Sequence, residues 1–170
     1  PLEERLHLEK ICHDELSDLY MLCKDKRAEE QIGQCIDLHR KWLAMDDRFE
    51  RPHPDTTGYM MRAYAKMVYL RDLISRDKLN EYYQKCIGLA RARGDMAEIY
   101  STSARYYQCT GDYERAVAYI DSTITVYKSK GIKAALAPIY ATQSYLYEEM
   151  GDYKNALKAV RTTNNIRFNE

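Results

Sequence analysis

Cys35 and His39 stand four residues apart, a spacing that can set two metal ligands on one helix face. A zinc site needs two more ligands, and nothing of similar spacing lies nearby in the sequence. The pair reads as a buried cysteine beside a partly exposed histidine. Cys12 and His13 are adjacent, so on a helix they point about 100° apart. A nucleophilic pair would join Cys12 or Cys109 to a remote histidine. No flanking glycines shape an oxyanion site there, and matching residue types alone do not make a constellation. The seven glycines are scattered as turn markers and form no phosphate-cradling loop. These residues therefore predict no enzyme activity, no metal and no cofactor.

The elements that would carry such groups are set by an internal repeat. Gly111 to Ala116 (GDYERA) returns forty residues later as Gly151 to Ala156 (GDYKNA). Upstream lie Tyr100, Ala104 and Tyr107 in one copy, and Tyr140, Ser144 and Tyr147 in the other. Tyrosines seven apart are two helical turns apart, so they share a face with the small residue between them. Each glycine then ends its helix in the left-handed conformation. Asp112 and Asp152 follow as N-caps of a second helix. Glu114 adds a negative charge near the positive helix end, while no glutamate completes a capping box after either aspartate. Ala116 and Ala156 open the second helix where it would cross the first closely, and Ile120 and Thr123 match Val160 and Thr163.

Two weaker copies precede these. Leu79, Tyr83 and Cys86 fall where Ala116, Ile120 and Thr123 fall, and Gly94 matches Gly131. The first helix of that copy spans roughly 57–70, with its turn at 71–77. Further upstream Ala28, Ile32 and Cys35 fill the same slots, and Tyr20 plays the part of Tyr107.

The paired tyrosines, the Gly-Asp-Tyr turn and the alanine five residues after each glycine resemble the tetratricopeptide repeat family. The likeness is strong over 97–165 and suggestive over 1–90. It implies an all-α fold, a right-handed superhelical α-solenoid of about four helix-turn-helix hairpins. Their expected spans are 2–46, 57–93, 95–130 and 133–168 in a single domain over 1–170. The period of 40 is longer than the family's usual 34, and the difference falls at Lys128 to Pro138. Long-helix variants of the family occur among bacterial regulatory proteins.

In this family the first helices of successive hairpins line a concave binding face. Carried onto this chain, that face presents Glu98, Ser101, Arg105 and Gln108, then Ala141, Tyr145, Glu148 and Glu149. One subgroup clamps the carboxylate of chaperone tails with lysines and asparagines at such places. Here only Arg105 can pair with a carboxylate, so the face suits a mixed-charge peptide or a helix. Asp47 to Gly58 (DRFERPHPDTTG) is an irregular connection, either a linker or a loop folded over the groove.

Lys plus Arg balance Asp plus Glu at 26 each, so no global field recruits nucleic acid or a membrane surface. No apolar stretch approaches the roughly 20 residues that span a bilayer. Sixteen tyrosines against two phenylalanines suit half-buried ridges with a wet hydroxyl. Cys12, Cys23, Cys35, Cys86 and Cys109 show no tight spacing and read as reduced thiols, which favours the cytoplasm. An extracytoplasmic sensor segment stays open. Arg40 and Lys41, Arg91 and Arg93, and Lys128 and Lys130 fall near second-helix ends, as cations complementing negative helix termini do.

The chain begins with Pro1 and reads as a piece of a longer protein. The expected function is a protein- or peptide-binding scaffold, the input or regulatory segment of a larger bacterial signalling or transcription-regulatory protein. Leu157 to Glu170 (LKAVRTTNNIRFNE) resembles the run-out of repeat domains that precede kinase or DNA-binding modules. A free-standing adaptor that assembles through its repeat ends is the alternative, and predicts exposed apolar surface on a terminal hairpin. A nucleic-acid-binding regulator using the basic residues is a third, disfavoured by the neutral total charge.

Overall fold

The structure is a computed structural model that describes residues 2–44, 56–70 and 72–168. Among the described residues there are eight helices and no strand: α1 (Leu2–Leu22), α2 (Arg27–Ala44), α3 (Thr56–Val68), α4 (Arg76–Arg93), α5 (Met96–Thr110), α6 (Tyr113–Ser129), α7 (Leu136–Glu149) and α8 (Tyr153–Phe168). They pair as four hairpins in two compact units, Pro1–Arg93 and Gly94–Glu170. The all-α reading and the helical hairpins of the repeat are what the structure shows. The segment 47–55, where the irregular connection was expected, lies outside the described residues; Thr56 already opens α3.

The hairpin turns follow from backbone chemistry. Gly111 has φ of 81°, and the amides of Gly111 and Asp112 bond back to the carbonyls of Gln108 and Tyr107. The same closure recurs at Gly151, where the Asp152 amide reaches the Tyr147 carbonyl. In the first hairpin the Asp25 amide reaches the Tyr20 carbonyl at 2.8 Å, and the left-handed position is taken by Lys24, φ 52°. Tyr20, Tyr107 and Tyr147 thus hold one structural position. Asp112 and Asp152 accept from the backbone amides of Arg115 and Asn155, as N-caps do.

The matched slots in the second helices are matched in burial too. Ala28, Leu79 and Ala116 are buried, as are Cys35, Cys86, Thr123 and Thr163. Cys35 and Cys86 are further equivalent: each thiol donates to a carbonyl 25 residues earlier, on Lys10 and Met61. In unit 2, Ala104 and Ala116 let α5 and α6 cross closely beside Val117, Ile120, Ile124, Leu136 and Leu146. The Tyr107 and Tyr119 rings stack across that crossing, centroids 5.5 Å apart.

Helix α1 departs from the rule that a surface helix turns its apolar stripe inward. Lys10 and Ser17 are its buried residues, and half-buried His13 bonds Gln31 of α2. Lys66 of α3 pairs with Asp14 and Asp18 on its flank. Leu8, Ile11, Leu16, Leu19 and Leu22 face outward instead.

Candidate functional site

The expected binding face is already engaged at several positions. On α5, Thr102 donates to the Glu98 carboxylate at 2.6 Å, and the Arg105 guanidinium donates to Gln108 at 2.8 Å. Gln108 is buried. Ser101 turns its hydroxyl back to the Glu98 carbonyl. Glu98 also belongs to a cap, because Asp95 accepts from the Glu98 amide at the start of α5. On α7, Glu149 accepts from the Tyr113 hydroxyl. Tyr145, Glu148 and Glu149 are exposed, and Ala141 is half-buried.

A second surface of unit 2 is more deeply shaped. On α7, Tyr140, Gln143 and Tyr147 recur at helical spacing and form the floor of a groove. Its walls are Asp121, Thr125 and Lys128 from α6 and Asn155, Lys158 and Thr162 from α8, and its volume is about 530 Å³. An adjoining depression of about 420 Å³ shares Lys128, Tyr140 and Thr162 and continues to Lys133, Leu136 and Ile166. Both volumes lie in the range of ligand sites. The floor residues sit on the opposite side of α7 from Ala141, Tyr145, Glu148 and Glu149, since 100° per residue separates the two sets.

The groove carries an uneven charge. Lys128, Lys133 and Lys158 are exposed around it, against one carboxylate, Asp121. Gln143, itself buried, donates to Asp121 at 2.6 Å. Burial lifts the Asp121 carboxyl above its ordinary value, and the Gln143 bond pulls it part of the way back. The Lys128 ammonium stands 5.6 Å from the Tyr140 ring. The result is a cationic rim around a tyrosine floor with an apolar end at Leu136 and Ile166.

The earlier candidates for chemistry are placed differently. His39 is buried rather than partly exposed, because its ring stacks on Tyr59 at 4.9 Å. Burial, with the Lys10 charge, holds its imidazole down at about 4. Burial pushes the Cys35 thiol up to about 11, which makes it an inert packing group. Cys12 and Cys23 are exposed. Among the described residues no cluster of three or more potential metal ligands occurs. No described helix is long and apolar enough to cross a membrane.

Residues 137–162 match the tetratricopeptide repeat family. That stretch runs from the start of α7 through the Gly151-Asp152 turn into α8, so it contains the groove floor and one wall. A crystal structure of BtubC (BKLC) from P. vanneervenii is similar at 15% identity and a TM-score of 0.36, covering 98% of this chain and 91% of that one. No curated protein matches the chain. The family match supports assignment to the tetratricopeptide repeats, whose usual work is protein–protein interaction.

Proposed function

We propose that this chain is a protein- or peptide-binding tetratricopeptide scaffold whose unit 2 groove takes an acidic peptide segment bearing one large apolar side chain. The observation that carries the reading is the groove of α6, α7 and α8, with three lysines on its rim and one carboxylate. Carboxylates of a ligand would meet Lys128 and Lys158, and its apolar side chain would enter the end lined by Leu136 and Ile166. We place the chain as the input or regulatory segment of a larger bacterial signalling or transcription-regulatory protein. The long-period repeat and the likeness of 157–170 to a run-out before an output module support that placement.

The competing surface is the face of α5 and α7 bearing Arg105, Tyr145 and Glu148. Selection of random displayed peptides against the folded chain separates the two. The expected result is enrichment of acidic peptides with a single aromatic or leucine. Their binding should fall at least about tenfold in the Lys128→Glu, Lys158→Glu double variant and persist in Arg105→Glu. Loss in Arg105→Glu alone would move the ligand to the other face. No enrichment at all would sink the scaffold reading.

A further inference from the structure

We propose that this chain associates head to tail with a second copy of itself, the outward face of α8 on one molecule seating on the outward face of α1 on the next. The two helices each leave an apolar stripe in solvent. On α1 the stripe is Leu8, Ile11, Leu16, Leu19 and Leu22; on α8 it is Tyr153, Leu157, Val160 and Phe168. At 1.5 Å per residue the stripes run about 21 and 22 Å, so they match in length. The α8 stripe lies on the side of that helix opposite Asn155, Lys158 and Thr162, so the ligand groove stays open. This inference goes beyond the groove and uses none of its residues.

Charge selects the pairing. Helix α1 carries six acidic residues against two basic ones. Helix α8 carries Lys154, Lys158, Arg161 and Arg167 and no acid. A two-fold pairing of α1 on α1 would bring Glu15, which falls within the stripe, toward its own copy. Pairing α8 on α8 would oppose two wholly basic helices. Only α8 on α1 brings apolar stripe to apolar stripe with opposite charges on the flanks.

The area fits a weak interface. Each stripe exposes about 500 Å² of side chain, and the flanking charged residues bring the pair near the low end of specific interfaces, about 1,200 Å² in total. Because the two surfaces differ, the contact is heterologous and adds copies without closing on a dimer.

Sedimentation velocity of the 170-residue chain from about 10 μM to about 1 mM reads this directly. The average mass should rise without a dimer plateau and fall as salt is added. Leu22 and Phe168 are 84% and 86% exposed, so charging them leaves the fold intact, which circular dichroism confirms. Leu22→Glu and Phe168→Glu should each be monomeric alone. Mixed in equal amounts they should form a dimer and nothing larger, since the mixture retains one intact α8 and one intact α1 per pair. A wild-type monomer throughout, a wild-type dimer plateau, or assembly of either variant alone would overturn the proposal. Each of these results leaves peptide binding at the groove untouched.

Discussion

Replacing Ala116 by leucine probes the hairpin packing at its tightest point. The Ala116 side chain is fully buried, and Ala104 of α5 is 3% exposed at the same crossing. Leucine adds three carbons where Val117, Ile120, Leu136 and the Tyr107 and Tyr119 rings leave no open side. Overpacking of a closed site costs roughly 1–3 kcal/mol. For a unit of the size of Gly94–Glu170 melting on its own, 2 kcal/mol lowers Tm by roughly 8–16 °C. The repeat supplies its own control. Ala156 holds the equivalent position in α8 but is only half-buried, so Ala156→Leu should cost far less. Thermal melts followed by far-UV circular dichroism measure both. A neutral Ala116→Leu, or equal losses in the two variants, would refute the close crossing of α5 and α6.

Lys24 holds a left-handed backbone where the later hairpins use glycine, so Lys24→Gly should stabilise unit 1 by about 1 kcal/mol, read from the urea midpoint. Cys12 and Cys23 should react with a thiol reagent within minutes in the native chain, while buried Cys35 and Cys86 should react only on unfolding; fast labelling of all five would contradict the packing. The His39 ring should titrate near 4 by NMR rather than near 6.5. Its folded state binds fewer protons than the unfolded chain, so the stability from neutral His39 is complete above about 6.5 and is lost as pH falls toward 4. A His39 titration at the ordinary value would show the stack on Tyr59 to be open.

The hairpin register was legible because it rests on local chemistry. A glycine at a left-handed turn, an aspartate one residue later and a small residue at the crossing are each demanded by geometry within a few residues. Hence Tyr20, Tyr107 and Tyr147 align in sequence and again in their carbonyl bonds. The cap at Asp95 was equally legible, since Asp95 and Glu98 have capping-box spacing, but attention to the repeated Gly-Asp-Tyr turn hides it. Lys24 was not legible, because a lysine carries no signal that its φ is positive. Nor was the burial of His39, which depends on Tyr59 arriving from α3. The groove escaped because Tyr140 and Tyr147 satisfy the ridge pattern of the repeat. Their exposure toward α6 and α8 depends on how three helices pack. The reversed faces of α1 escaped for a related reason: its polar inward residues become satisfied only against Gln31, Tyr59 and Lys66 on other helices.

The most direct test of the central reading is an NMR titration of the chain with a short synthetic peptide rich in glutamate and carrying one phenylalanine. The account predicts saturable shifts at Tyr140, Gln143, Tyr147, Lys158 and Thr162, with Arg105 and Tyr145 unmoved. Shifts confined to Arg105, Tyr145 and Glu148, or none anywhere while the protein remains folded, would contradict it.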